Sequence, residues 1–233
     1  VSRSFDAAIF DLFGTLVPEF PREEFTATVR AAARALGVDE EAFLEGWTRT
    51  AIFRQTGRFT DVGQNLLTIV EELGHPEPTA DALAAALAPR EAMYERWFHP
   101  RVGAMATLRA LRERGYPVGL ISMCAPDAPA LWRASPLAPL VEVAVFSSES
   151  GLRKPDAAIY RACADALGVE PARCLYCGDG SYGELSGARA VGMTAFEVRD
   201  PDVDHAALLR PEAEEWSGAR VEDLRDLLVY FPG

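Results

Sequence analysis

The hydrophobic positions of this chain fall into two textures. Ala7-Ala8-Ile9-Phe10 is a short continuous apolar run of the kind that forms a strand buried on both faces, and it ends on an acid, Asp11. From residue 18 to about 100 the period is helical. Pro21 opens a helix over Arg22 to Leu36, with Phe25, Val29, Ala32 and Leu36 on one face, and Asp39 caps a second through Phe43, Trp47 and Ile52. Thr60 or Asp61 caps a third through Leu66, Ile69 and Leu73, stopped by Gly74; Thr79 caps a fourth that Pro89 interrupts before Met93, Trp97 and Phe98.

Beyond Pro100 the two periods alternate. The pattern predicts helices over Gly103 to Arg114, Asp156 to Leu167 and Glu184 to Val191, and strands over Pro117 to Ile121, Val141 to Phe146, Cys174 to Cys177 and Thr194 to Val198. Val221, Leu224, Leu227 and Leu228 predict a closing amphipathic helix. Short strands alternating with helices imply an α/β fold, a Rossmann-like parallel sheet with right-handed crossovers. The division that follows is a core of residues 1–17 and 101–233, with residues 18–100 as an inserted all-helical domain.

Composition narrows the partners. A formal charge of -12 and a pI near 4.8 repel phosphate backbones and anionic bilayers, so neither nucleic acid nor membrane is expected as a partner. No run approaches the roughly 18 apolar residues of a membrane span, and Val1-Ser2-Arg3 opens no leader; a cytoplasmic protein is expected, monomer or homodimer. Of the 23 Lys and Arg residues a single one, Lys154, is lysine. It stands out as a place where a compact ammonium serves and arginine does not, or else as a surface lysine before the Pro155 turn. Cys174 and Cys177, three apart in a strand, send their sulfurs to opposite faces, which argues for buried thiols and against a zinc or dithiol site.

In open parallel sheets ligands bind beyond the strand ends. Four polar groups stand there: Asp11 after the first strand, Ser122 after Val118-Gly119-Leu120-Ile121, Lys154 in Gly151-Leu152-Arg153-Lys154-Pro155, and Asp179 after Cys177. Taken alone, Asp11 is equally a nucleophile or the cap of a turn before Gly14. Thr15 and Ser122 also have a local use, satisfying nearby backbone groups.

Asp-x-x-Gly-Thr after the first strand, a serine after a hydrophobic strand, Lys-Pro before a helix, and Gly-Asp-Gly followed by Glu184 resemble, in that order, the four motifs of the haloacid dehalogenase-like (HAD) hydrolase superfamily. The helical insert resembles that superfamily's cap. The resemblance implies a small anionic substrate and Asp11 as a nucleophile that forms a covalent intermediate. It implies hydrogen bonds from Thr15 and Ser122 to the transferring group, and Lys154 holding the nucleophile. It further implies Mg²⁺ bound by Asp11, Asp179 and the backbone carbonyl of Phe13. Glu184 is either a further metal ligand or, in Ser181-Tyr182-Gly183-Glu184, the acid of a helix-capping box. Phe13, Gly14 and Met123 are expected to border the substrate. Trp47, Arg54, Arg58 and Phe59 are candidates to line the crevice from the cap, or else core aromatics beside a solvated basic face.

The resemblance departs at two positions. Superfamily phosphatases place a second Asp two residues after the nucleophile to protonate the leaving alkoxide; here Phe13 stands, as an aromatic does in the dehalogenase branch. That branch usually follows its serine with Asn, where this chain has Met123, and it has little use for the acidic fourth motif present here. The phosphonate branch needs a cap lysine, and residues 18–100 contain none. Three readings stay open: a Mg²⁺-dependent hydrolase of small phosphorylated metabolites, a metal-independent 2-haloacid dehalogenase-type hydrolase, and a non-catalytic binder of anionic ligands.

Overall fold

The computed structural model describes residues 5–199 and 215–233; Val1-Ser2-Arg3 lie outside the described residues. Strand β1 (Ala7–Phe10) is followed by helices α1 (Arg22–Leu36), α2 (Glu40–Arg49), α3 (Ala51–Gln55), α4 (Val62–Glu72) and α5 (Ala80–Trp97). Then come α6 (Ala104–Glu113), β2 (Val118–Ser122), α7 (Ala128–Ala134), β3 (Val143–Phe146), α8 (Ser147–Ser150), α9 (Ala157–Leu167), β4 (Cys174–Gly178), α10 (Glu184–Ala190), β5 (Thr194–Val198), β6 (Ala219–Val221) and a 3₁₀ segment, Leu224–Tyr230.

Among the described residues the strands form one sheet, in the order β3-β2-β1-β4-β5-β6, and every pairing is parallel. The pleat sends alternate residues to opposite faces. Ala8, Phe10, Leu120, Leu175 and Cys177 pack with Leu108 and Leu111 of α6 and with Leu224 and Leu227. Ala7, Ile9, Ile121, Cys174 and Tyr176 pack with Ile159 and Cys163 of α9 and with Leu185 and Ala188 of α10. Cys174 and Cys177 thus lie on opposite faces, both buried and both free thiols.

The helices after β1 enclose a separate apolar cluster, with Val29 and Ala32 of α1, Phe43 and Trp47 of α2, Leu66 and Ile69 of α4 and Ala86 of α5 at its centre. Helices α2 and α4 approach closely at Gly46, where a Cβ would come within 2.7 Å of Ile69. Asp39, Asp61 and Thr79 cap α2, α4 and α5 with side-chain hydrogen bonds, as their spacing predicts.

Three expectations are corrected. The second helix does not run through Ile52; it ends at Thr50, whose hydroxyl turns back to the Gly46 carbonyl at 2.8 Å, and α3 starts afresh at Ala51. Pro89 does not interrupt the fourth, because α5 is continuous from Ala80 to Trp97. The missing Pro89 N–H removes one bond of the ladder, while Ala86, Arg90, Met93 and Tyr94, buried on either side, anchor the helix. The tail is not an α-helix. Val221 ends the edge strand β6, and Leu224 and Leu227 are buried from a 3₁₀ segment, whose three-residue turn places them on one side. Helices α7 and α8 and strand β6 were not expected, being too short to carry a period. Among the described residues no helix is long and apolar enough to cross a membrane.

Candidate active site

The strand order reverses at β1, whose neighbours are β2 on one side and β4 on the other. At such a switch point the outgoing loops diverge and leave a crevice beyond the carboxyl ends of the strands. Asp11 follows β1 and Asp179 follows β4, and the two strand ends are tied by the Asp11 N–H donating to the Cys177 carbonyl at 2.9 Å. Asp11, Asp179 and Glu184 are all buried, and each brings a carboxylate oxygen within 4.8 Å of the others.

Lys154 reaches into this cluster from the loop after α8. Its Nζ donates to Asp11 Oδ1 at 2.5 Å and to Glu184 Oε2. Its backbone N–H donates to the Met123 sulfur at 3.3 Å, so Met123, from the loop after β2, helps to seat the lysine. Burial and then the Glu184 carboxylate push the Asp11 carboxyl up to about 7, against the pull of Lys154. Burial works to lower the Lys154 ammonium, but Asp11 and Glu184 more than offset it and hold it above the usual lysine range.

Glu184 does not close a capping box. The N-cap of α10 is Gly183, and the Ser181 N–H goes to Asp179 Oδ1 at 2.9 Å. Glu184 Oε1 accepts from the Gly180 N–H at 3.0 Å, and Oε2 accepts from Lys154 and from the Tyr176 hydroxyl at 2.6 Å. The Tyr160 hydroxyl adds a bond to the Glu184 carbonyl at 3.0 Å. Gly178 makes room, since a Cβ there would lie 2.2 Å from Glu184 Oε1.

The hydroxyls of Thr15 and Ser122 are fully buried and, among the described residues, make no hydrogen bond of normal geometry. Ser122 lies beside the Cys124 thiol. A buried hydroxyl without an acceptor is costly unless a ligand supplies one. The loop that carries Thr15 after the nucleophile is tight: the Leu12 carbonyl accepts from the N–H groups of Leu16 and Val17, both at 2.9 Å, and Gly14 sits at φ 77°. Arg101 Nη1 pins the Gly14 carbonyl at 2.6 Å. The Phe13 carbonyl accepts no hydrogen bond among the described residues. An all-oxygen set of Asp11, Asp179 and this carbonyl fits Mg²⁺, and three carboxylates beside one ammonium leave negative charge for a cation to balance.

A family model for haloacid dehalogenase-like hydrolases matches residues 5–192. The chain belongs to the HAD-like hydrolases. It is 32% identical over 197 residues to phosphoglycolate phosphatase of Rhodospirillum rubrum, covering 80% of this chain and 76% of that one. It is 26% identical over 202 residues to (S)-2-haloacid dehalogenase 4A of Burkholderia cepacia, covering 84% and 83%. The crystal structure of a HAD phosphatase from Thermococcus onnurineus superposes with a TM-score of 0.66 at 20% identity, over 98% of each chain.

In this HAD-like hydrolase the helices after β1 meet the loops of the sheet. The Phe13 ring packs with Phe20, Phe98 and Tyr94 at centroid distances of 5.2, 5.9 and 6.3 Å. Arg90 of α5 forms a bidentate pair with Asp127, from the loop after β2, at 2.5 and 3.1 Å, and donates to the Tyr94 hydroxyl at 2.8 Å. Gln55 donates to the hydroxyl of Tyr182, which lies three residues beyond Asp179 and is left-handed at φ 57°. Gly57 comes so close to α8 that a Cβ would lie 2.7 Å from the Ser148 carbonyl oxygen.

Among the candidates from the helical block, Trp47, Arg54 and Phe59 are buried, and Arg58 is exposed with its guanidinium 4.4 Å over the Phe53 ring. The structure therefore brings Asp11, Lys154, Asp179 and Glu184 into one cluster and leaves Arg58 at the surface. Sequence reading missed Tyr176, Arg90, Asp127 and Tyr182. Arg90 carries a signal that was available: an arginine in the buried stripe of α5, between Ala86 and Met93.

Proposed function

We propose that this HAD-like hydrolase is a Mg²⁺-dependent phosphohydrolase of small phosphorylated metabolites whose leaving group departs without a proton. The observation that carries the reading is the buried cluster of Asp11, Asp179 and Glu184 carboxylates around Lys154 at the switch point of the sheet. In this reading residues 18–100 are the cap that closes over the crevice and excludes water.

With Asp11 Oδ1 held by Lys154, Oδ2 attacks phosphorus and the bond to the leaving group breaks, giving an aspartyl phosphate that water then hydrolyses. The Thr15 and Ser122 hydroxyls donate to the phosphoryl oxygens, which supplies the acceptors they lack. Lys154 offsets the charge on the nucleophile, and Glu184, held by Tyr176 and Gly180, positions Lys154. Bound through Asp11, Asp179 and the Phe13 carbonyl, Mg²⁺ would supply charge stabilisation at the phosphoryl group. Residue 13 cannot protonate a leaving oxygen, and its ring is engaged with Phe20, Tyr94 and Phe98. Acyl and aryl phosphates need no such proton, and the aspartyl phosphate is itself an acyl phosphate.

Phe13 also favours a second reading, dehalogenation of small 2-haloacids, because halide leaves unprotonated; the relatedness to a haloacid dehalogenase supports it. One paired assay separates the two: phosphate release from acetyl, phenyl and ethyl phosphate with and without Mg²⁺, beside halide release from 2-chloropropionate. The expected result is Mg²⁺-dependent turnover of the acyl and aryl esters, reduced roughly 10⁴-fold or more in Asp11→Asn. Halide release without metal, and no phosphate release, would overturn the proposal in favour of the second reading.

A further inference from the structure

The helical block buries a guanidinium that pairs with no carboxylate among the described residues. Arg54 of α3 is 5% exposed, and its guanidinium lies 3.6 Å from the centroid of the Trp47 ring. Its Nη1 donates to Asn65 Oδ1 at 2.5 Å and to the Trp47 carbonyl at 3.2 Å, with Thr50 Oγ1 at 3.5 Å. Asn65 is fixed in turn: its Nδ2 donates to Thr50 Oγ1 at 2.9 Å. Every acceptor is neutral and all lie on one corner of the guanidinium. Among the described residues, Nε and Nη2 have no hydrogen-bond partner and no carboxylate lies within ion-pair distance.

Arg90 makes the imbalance plain. It lies 5.5 Å over the same Trp47 ring, yet it is matched by Asp127 in a bidentate pair. Two guanidinium groups against one carboxylate leave one net positive charge in a buried place, which is costly unless a counter-charge is supplied. Burial, and then the neighbouring Arg90, push the Arg54 guanidinium down to about 9, against Asp127, Tyr182 and Tyr94. The position is on the side of the block that meets the catalytic loops. The next residue, Gln55, donates to Tyr182 beyond Asp179; Asp127 follows Ser122 in the loop after β2; and Tyr94, bonded to Arg90, packs on Phe13.

We infer that Arg54 is the subsite for a carboxylate carried by the same small molecule that offers its phosphoryl group to Asp11. This rests on the phosphohydrolase reading and narrows its substrate class to phosphorylated carboxylic acids. The Nε and Nη2 edge presents two parallel donors that match the two oxygens of a carboxylate. The charge matches as well: a single carboxylate neutralises the net unit charge, whereas a second phosphate would overshoot it.

Phosphonoacetate and methylphosphonate differ by that carboxylate and contain no bond that Asp11 chemistry cleaves. Titration calorimetry of the full chain with Mg²⁺ is expected to show phosphonoacetate binding tighter by roughly 30-fold or more. In Arg54→Gln the ratio between the two ligands should collapse to within about twofold. Asn65→Asp keeps the shape and the acceptor on Nη1 but adds an internal counter-charge, so the ratio should fall there too, and this variant serves if Arg54→Gln does not fold. Equal affinity for the two ligands in the wild type, no binding of either, or a ratio unchanged by both substitutions overturns the subsite. Turnover of acetyl phosphate without ligand discrimination would leave the phosphohydrolase reading standing and remove the subsite. Discrimination without turnover of any phosphate ester would do the reverse.

Discussion

The two buried charge clusters of this hydrolase are opposite in sign and built by different means. At the sheet, Asp11, Asp179 and Glu184 outnumber Lys154, and the excess is negative. In the helical block, Arg54 and Arg90 outnumber Asp127, and the excess is positive. The first hangs on strand ends, where the parallel pairing of β1 with β4 leaves little freedom; the second hangs on side chains stacked across Trp47 between helices. Under the two proposals above, the negative cluster is where Mg²⁺ would bind and the positive one is where the substrate carboxylate would bind.

The strongest way to break the comparison is to remove the demand at the negative end. Asp179→Asn, or chelation of the wild type, should reduce acyl-phosphate turnover by roughly 10²-fold or more, measured as phosphate release and restored to the wild type by added Mg²⁺. Phe13→Asp adds the missing proton donor and should raise ethyl phosphate turnover by roughly 10²-fold; no gain would mean that the absent acid is not what limits alkyl esters. A direct reading of cation demand is thermal. Mg²⁺ at about 100 times its Kd should raise the Tm of the wild type by roughly 5–10 °C, and the shift should vanish in Asp179→Asn.

Smaller effects test each cluster by itself. Asp127→Asn leaves two guanidinium groups without a carboxylate and should cost about 1–3 kcal/mol, read from the urea midpoint at constant m-value. For Asp11 the pH sign follows from a folded pKa of about 7 against 3.8 in the unfolded chain. Between these values the folded state holds a proton that the unfolded state has released, so stability of the metal-free protein declines as pH rises across that window. Asp11→Asn removes the decline. Without metal, the variant should melt above the wild type at pH 8, and the gap should narrow as pH falls to 4.

The two clusters were not equally legible in the sequence. Asp11, Ser122 and Asp179 stand where predicted strands stop and Lys154 in the loop ahead of the next helix, and loops beyond strand ends are where open parallel sheets collect their ligands. Their linear positions were enough to nominate them. Glu184 was nominated with two roles, as a capping acid or a metal ligand; in the structure its carboxylate is taken by Lys154, Tyr176 and Gly180. Arg54 and Arg58 looked alike, four residues apart on a basic stretch. The break of the helix at Thr50 and the packing on Trp47 buried one and left the other in solvent.

What the sequence by itself determined is the alternation of the longer strands and helices, the residues at the strand ends, and the absence of an acid at position 13; α7, α8, β6 and the 3₁₀ tail lay beyond it. These are properties of local spacing and residue type, and local backbone preferences carry them. Only the tertiary structure decided which charges meet. Lys154 and Asp11 are 143 residues apart, and they touch because β4 inserts beside β1 and the loop after β3 folds back over both. Arg90 and Asp127 pair because α5 continues through Pro89 and carries the arginine to the loop after β2. Whether a buried charge is balanced is a sum over everything packed around it, and no stretch of the chain contains that sum.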